Sequence, residues 1–342
     1  MPTSNNRELS VARLLEMAHA YRQTAILTAA CELNVFSNLA NGPLSAEALA
    51  HACGVPIRGL QRLLNACVIV NLLEKKEDTY SNGFLADEFL VEGKPGYMGT
   101  FIIRRNEHYE AWGRLAQAIR QDQPADLHSA DALATLPAER MRYYIESFYD
   151  TGKRYAQEIV ETLDLSHARQ MLDVGGGPGI YSIVFAQHQP ALRAIVLDLQ
   201  PTLAFTAEII ARHGMAGRIS LRPGNYLHDD FGRGYDILLL SNVLNTQGPE
   251  IGRVLLRKAF DALAPTGQLV VHGVMPAADR ISPPEPALYQ VQMFLQYPAG
   301  DAYPAEEVLK WVKEVGFIEP SITRFAPPNY RSIVTGRKPV DR

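Results

Sequence analysis

The stretch Gln170-Met-Leu-Asp-Val-Gly-Gly-Gly-Pro-Gly-Ile-Tyr181 decides how the chain is read. Met171-Leu-Asp-Val174 is a short apolar run that suits a buried strand. The glycines after it let the backbone turn tightly and approach a ligand closely, and the apolar helix that starts at Ile180 offers free N–H groups at its N-terminus. The next apolar run, Arg193-Ala-Ile-Val-Leu-Asp198, ends in a carboxylate placed to accept the ribose hydroxyls of a nucleoside. Strand, loop, helix, strand and terminal acid in that order predict a ligand-binding turn rather than a merely structural one.

Working outward, Ile219-Ser-Leu221, Tyr235-Asp-Ile-Leu-Leu-Leu240 and Gln268-Leu-Val-Val-His272 repeat the pattern of short apolar runs separated by helical segments. Buried strands alternating with helices predict an α/β fold, a doubly wound parallel sheet covered on both faces, over residues 166–342. The texture changes near Leu165 to Gln170. Before that point, apolar residues from Val11 to Cys31 recur at helical spacing and predict one long amphipathic helix. Ser45 is an N-cap for a short helix that stops at Gly54, and a second helix runs from about Ile57 to Val70 with Leu60, Leu63, Leu64 and Cys67 on one face. Leu72-Leu73 and Thr79-Tyr80-Ser81 form a strand pair around Lys75 to Asp78, so helix, turn, helix and β-wing predict a winged helix. Residues from Phe84 to about Leu165 are helical, with a polar surface loop at Gln121 to Asp131. Residues 1–165 are therefore expected to form a mainly helical domain.

The chain has 342 residues, 33 Lys and Arg against 37 Asp and Glu, and 47% apolar residues, a soluble globular profile. A net charge of −4 and a pI near 6.2 argue against nucleic-acid or membrane partners. Arg58, Arg62, Lys75 and Lys76 are too few cations for a duplex-reading face, which counts against a winged-helix DNA-binding regulator. The three cysteines, Cys31, Cys53 and Cys67, have no metal-ligand spacing and suggest neither a disulfide framework nor a bound metal. With no basic segment leading into an apolar run at the N-terminus, a cytoplasmic location is expected.

Two cofactor classes compete for the glycine loop. A dinucleotide fingerprint counted from Gly175 needs a glycine where Ile180 stands. Asp173, just before the loop, would repel a pyrophosphate but suits a ligand carrying an ammonium and a sulfonium, S-adenosylmethionine.

Leu172-Asp-Val-Gly-Gly-Gly-Pro-Gly179, Leu197-Asp198-Leu199, Pro223-Gly-Asn-Tyr-Leu227, Tyr235-Asp-Ile-Leu-Leu-Leu-Ser-Asn-Val-Leu244 and Ala264-Pro-Thr-Gly-Gln-Leu269 resemble the ordered motifs of class I S-adenosylmethionine-dependent methyltransferases. More narrowly, about residues 10 to 338 resemble the small-molecule O-methyltransferase family, which includes plant phenolic and bacterial carotenoid, polyketide, phenazine and bacteriochlorophyll methyltransferases. The resemblance implies a Rossmann-like catalytic domain and an N-terminal winged helix that mediates homodimerisation. It implies that Asp173, Gly175 and Gly177 contact the methionine part of the cofactor, that Asp198 accepts both ribose hydroxyls and that Leu199 packs on adenine. Where the family has Gly-Asp followed by an aromatic residue or Met, this chain has Gly224-Asn225-Tyr226, and Asn225 can still accept from the adenine amino group through its amide oxygen. Ser241 stands where the family lines the methionine pocket, or else is a strand-end hydroxyl facing solvent.

One departure touches the chemistry. Family members that methylate phenols read Asn-Val-Leu-His-Asp-Trp after the fourth strand, and the His removes the phenolic proton. Here the segment is Asn242-Val-Leu-Asn245-Thr246-Gln247, and an amide has no useful basicity near neutral pH. This leaves a nucleophile that needs no base (an amine, ring nitrogen or activated carbon), a base elsewhere, or a fold that uses the sulfonium as a fixed charge for another reaction. Candidate bases are His272 in the fifth strand, which is otherwise a satisfied core histidine, and His108, from the helical region that forms the pocket wall in the family. Tyr289, Met293, Phe294 and Tyr297 share one expected helix. With Trp112 and Phe148 they either favour a flat, largely apolar substrate or are plain core packing.

Overall fold

The computed structural model describes residues 4–127, 135–327 and 329–340. The expected loop from Gln121 to Asp131 lies outside the described residues from position 128 onward. The chain divides into two compact units, Met1–Glu110 and Ala111–Arg342. The texture change near Leu165 to Gln170 falls inside the second unit, where its sheet begins.

The first unit opens with helices α1 (Ser4–His19) and α2 (Tyr21–Glu32). The expected single helix is thus two helices meeting at Ala20. There the Ala20 N–H bonds the Met17 carbonyl and the Gln23 N–H bonds the Ala20 carbonyl, three-residue steps that tighten the backbone. After α3 (Val35–Asn38) and β1 (Leu44–Ser45) comes α4 (Ala46–Cys53). Ser45 Oγ accepts the Ala48 N–H at 3.2 Å and Gly54 ends the helix at φ 67°. Helix α5 (Ile57–Ile69) buries Leu60, Leu64 and Cys67. β2 (Leu73–Lys76) and β3 (Thr79–Asn82) form the expected antiparallel pair, and β1 adds a third strand, Leu44 opposite Tyr80. The buried Tyr80 hydroxyl donates to Asn65 Oδ1 at 2.7 Å, fastening the sheet to α5. Helices α6 (Phe84–Leu90) and α7 (Gly99–Ile103) follow, and α8 (Arg105–Gly113) runs through the division between the units.

In the second unit, α9 (Leu115–Gln121) and α10 (Ala138–Val160) precede a seven-stranded sheet. Its elements are β4 (Gln170–Val174), α11 (Ile180–His188), β5 (Arg193–Asp198), α12 (Gln200–Arg212), β6 (Ile219–Pro223) and β7 (Tyr235–Ser241). They continue with α13 (Pro249–Ala262), β8 (Leu263–Val274), α14 (Pro284–Gln296), α15 (Ala305–Val315), β9 (Ile318–Arg324) and β10 (Arg331–Arg337). The strand order is β6-β5-β4-β7-β8-β10-β9, parallel from β6 to β8, with β10 antiparallel to both neighbours. This is the expected doubly wound α/β sheet.

Successive strand residues point to opposite faces, which explains why the strands are apolar throughout. Met171, Val196, Ile237, Leu239, Val270 and Ile333 pack under α10, α11 and α12. Leu172, Leu238, Leu240, Leu269, Val271 and Val334 pack under α13 and α15. Trp311 anchors the second layer. It is 1% exposed and meets Tyr303 edge-on at 4.7 Å between ring centres. Trp311→Ala should cost about 3–5 kcal/mol, read as an earlier urea midpoint by circular dichroism. An unchanged midpoint would show that this layer does not hold the unit together.

Candidate active site

The glycine loop leaves β4 with Gly175, Gly177 and Gly179 at φ 65°, 52° and 72°, the left-handed region that favours glycine. A Cβ on Gly176 would lie 2.8 Å from both Asp173 Cγ and Val196 Cγ1, whereas one on Gly177 would meet nothing within 4 Å. The loop is therefore packed beneath and open above. Asp198, half-buried at the end of β5, accepts the Gly177 N–H at 2.8 Å through Oδ2 and the Leu199 N–H at 2.7 Å through Oδ1. Thr206 on α12 donates to the Gly177 carbonyl at 2.6 Å. Burial raises the Asp198 carboxyl above its ordinary range while those N–H groups oppose the shift.

Asp173 lies under the loop with no exposure. Its Oδ2 accepts the Ser182 hydroxyl at 2.9 Å, while Oδ1 is buried without a hydrogen-bond partner among the described residues. Desolvation, with the Asp198 charge adding to it, pushes this carboxyl up to about 7. Across the loop stands Tyr226: a Cβ on Gly175 would come within 3.6 Å of its ring. Its hydroxyl is 3.4 Å from Thr246 Oγ1, and Lys258 donates to its carbonyl at 2.6 Å. Asn225 Oδ1 accepts the Leu227 N–H at 3.0 Å, keeping its second lone pair.

Strand alternation sets the next group. The face that carries Met171, Leu239, Val270 and Ile333 also receives Asp173, Ser241, His272 and Arg331, two residues away along each strand and nearer the carboxyl edge of the parallel strands. Ser241 is paired with His272 across the strands, and its Oγ lies 2.9 Å from His272 Nδ1. The solvent-facing alternative for Ser241 is thereby replaced by a tie to His272. Tyr181 is 3.4 Å from the same nitrogen. Asn242, at φ 54°, donates to Ser241 Oγ at 3.2 Å and accepts from Arg331 Nη1 at 2.8 Å. His272 is 1% exposed, and its Nε2 has no hydrogen-bond partner among the described residues. Burial first, and the Arg331 charge second, hold its pKa well below the usual histidine range, so the ring is neutral.

Asn245 is buried on the short 3₁₀ turn Leu244–Thr246. Its Nδ2 donates to the Tyr289 hydroxyl and to Met293 Sδ, each at 3.1 Å, leaving Oδ1 buried with no partner among the described residues. Trp112 Nε1 donates to Gln292 Oε1 at 2.9 Å on the same helix, α14. The expected aromatic stripe is therefore divided. Tyr289 and Met293 reach Asn245, Phe294 lines a groove of about 640 Å³ with Leu115, Ile119 and Val291, and Tyr297 is the residue that caps the helix rather than part of it. Phe148 stacks edge-on against Tyr144 on α10 at 5.0 Å. His108 is buried on α8 and belongs to the first unit. Sequence reading did not single out Tyr155, Tyr181, Asn242 and Arg331, which sheet order and the packing of α10 and α11 on the sheet bring together.

Two profiles cover most of the chain, an O-methyltransferase dimerisation domain over residues 15–92 and an O-methyltransferase domain over residues 112–318. The chain belongs to the O-methyltransferase family. It is a methyltransferase whose methyl donor is S-adenosylmethionine. The methyltransferase is 30% identical to a 3-hydroxy-5-methyl-1-naphthoate 3-O-methyltransferase of Streptomyces sahachiroi, over 95% of this chain and 94% of that one. It is also 30% identical to the N,N-dimethyltransferase OxyT of Streptomyces rimosus, over 77% and 78% of the two chains. Its fold matches human N-acetylserotonin methyltransferase, solved with S-adenosylmethionine, at a TM-score of 0.86 and 21% identity, over 99% and 100% of the chains.

Asp173 makes a pH prediction for the cofactor-free methyltransferase. Below about pH 4 the group is protonated in both folded and unfolded chains. As pH rises toward about 7 the unfolded chain gives up the proton that the folded one still holds, so stability falls across that window and levels off above it. Asp173→Asn removes this loss. The melting temperature of the variant relative to wild type should climb from pH 4 to pH 7, and a flat difference would refute the buried-acid assignment.

Proposed function

We propose that this methyltransferase methylates a flat, largely apolar aromatic or polyketide-like small molecule at nitrogen, at carbon or at an unusually activated oxygen. The observation that carries the cofactor half of this reading is the buried, unpartnered Asp173 Oδ1 beneath a loop that is open above. The donor set fits S-adenosylmethionine. Asp173 offers the counter-charge for its cationic end, Gly175 and Gly177 a backbone cradle, and Asp198 spare lone pairs for ribose hydroxyls. Leu199, Asn225 and Tyr226 flank the adenosine side, and Ser241, tied to His272, lines the methionine side. When bound, the cofactor supplies a methyl group that is already electrophilic, so the protein's work is alignment in a dry pocket.

The acceptor half rests on Asn245. Its Oδ1 is left for a hydrogen bond from the acceptor, while Nδ2 holds Tyr289 and Met293 in place. An amide cannot deprotonate a phenol, which favours an acceptor that needs no base there. Neutral His272 acts through Ser241 in this reading, and His108 stays a pocket-wall candidate. Trp112, Phe148, Tyr289, Met293, Phe294 and Tyr297 are the aromatic and soft groups that suit a flat substrate. The relatives, with a naphthoate O-methyltransferase and an N,N-dimethyltransferase among them, support the substrate class and leave the atom open.

Residues 1–165 would then serve dimerisation and the pocket wall through a winged helix, and residues 166–342 the cofactor. Val11, Leu14, Leu15 and Met17 are all more than half exposed on α1 and lie in or beside the stretch matched by the dimerisation profile. A two-fold homodimer covering them is the natural assembly. Light scattering should return about twice 37.9 kDa at micromolar concentration, and a monomer would contradict this.

Asn245→Ala should lower turnover by roughly five- to tenfold, the worth of about 1 kcal/mol of positioning, without changing the pH–rate profile. In calorimetry with S-adenosylhomocysteine that variant should bind as wild type does, while Asp198→Ala should bind much more weakly. A fall of more than about a thousandfold for Asn245→Ala, or loss of a pH limb, would make the position a participant in proton transfer.

A further inference from the structure

Arg331 opens β10 at the edge of the sheet where β7 and β8 end, directly opposite Val274. Among the described residues two contacts hold its guanidinium, and neither neutralises it. Nη1 donates to the neutral Asn242 Oδ1 at 2.8 Å, and the central carbon sits 4.3 Å from the centre of the Tyr155 ring. Other arginines of this unit find acids: Arg280 meets Asp301 and Glu307, and Arg142 meets Glu208. Among the described residues no carboxylate comes within 4 Å of Arg331.

The orientation is informative. With Nη1 occupied, the free edge of the guanidinium is the one formed by Nε and Nη2, two parallel N–H directions that match the two oxygens of a carboxylate. Among the described residues neither nitrogen has a hydrogen-bond partner, yet neither is buried away from solvent. Beside them His272 is neutral and buried, so it neither supplies nor competes for an anion. A half-buried cation at the carboxyl edge of the sheet, fixed through Nη1 and stacked on Tyr155, suits an anion that the described residues do not provide.

We propose that Arg331 receives the carboxylate of a small molecule bound at this edge, through paired hydrogen bonds from Nε and Nη2. This rests on the methyltransferase reading above, in which two ligands meet there. The carboxylate belongs either to an acidic aromatic acceptor or to the amino-acid end of the cofactor. Asn242 and Tyr155 are positioning residues, the first turning the fork and the second supporting its plane.

Calorimetry on the full chain separates the sources. S-adenosylhomocysteine is compared with 5′-methylthioadenosine, which lacks the amino-acid carboxylate, and 1-naphthoate is compared with neutral 1-naphthamide on the S-adenosylhomocysteine complex. Arg331→Gln should weaken one carboxylate ligand by roughly ten- to a hundredfold and spare its neutral counterpart, with Arg331→Lys recovering part of the loss. A loss confined to 1-naphthoate assigns the site to the acceptor, and a loss confined to S-adenosylhomocysteine assigns it to the cofactor. Equal weakening of acid and neutral ligands, or no change in any, including the case where 1-naphthoate does not bind, overturns the proposal alone. Wild-type protein that fails to bind S-adenosylhomocysteine overturns the cofactor assignment and this proposal with it.

Discussion

The paired hydrogen bonds that Asp198 accepts from Gly177 and Leu199 are the constraint on which the site depends. Three glycines in the left-handed region have no preferred shape of their own, and a loop built from them is costly to order. One carboxylate fixes it by reaching back across the strand pair, while the Gly175 N–H bonds the Leu197 carbonyl at 2.8 Å and Thr206 holds the Gly177 carbonyl from α12. The loop thus takes its shape from the register of β4 against β5, in which Val174 lies opposite Leu197. Because that register is set by apolar residues packed on both faces, the sheet core determines where the loop N–H groups point.

The same arrangement concentrates acid beneath the loop. Asp198 is compensated by the N–H groups of two residues, whereas Asp173 is held by Ser182 alone and keeps one oxygen without a partner among the described residues. The fold tolerates this by keeping Asp173 closer to neutral, which costs little as an acid and much as an anion. In the proposed reading a cationic ligand reverses that balance, because a desolvated carboxyl that is costly as a lone anion is stabilised by a sulfonium or an ammonium beside it.

Much of this was legible in the linear chain, and the exceptions have physical causes. Short apolar runs, the glycine loop and the terminal Asp198 are local signals, as are the Ser45 cap and the Gly54 stop, and each survives into the structure. The break at Ala20 carries no Gly or Pro, so nothing in the sequence marks it. β1 is two residues long and gains its place only by pairing with β3. On α14, Tyr289 and Met293 are one turn apart and share a face, whereas Phe294 is rotated by about 100° from Met293 and looks elsewhere. The cluster of Tyr155, His272 and Arg331 was invisible because β10 inserts between β8 and β9, a crossover that no local pattern announces.

That insertion also bears on the chemistry. Placing a guanidinium beside His272 adds a charge penalty to the burial penalty, so protonating the ring is opposed twice. The neighbouring polar groups, Ser241, Asn242 and Asn245, are neutral at every physiological pH. Where β7, β8 and β10 meet, this edge therefore holds a fixed positive charge, hydrogen-bonding groups and no group of ordinary basicity among these residues. In the proposed reading, a nucleophile brought here has to be competent on arrival, or be made so by the local field. A phenolate held near a guanidinium, with its own proton already lost, satisfies that condition as well as an amine does. Neutral Asn245 is then consistent with selection of a pre-ionised or non-ionisable acceptor, and the Arg331 charge with orienting it.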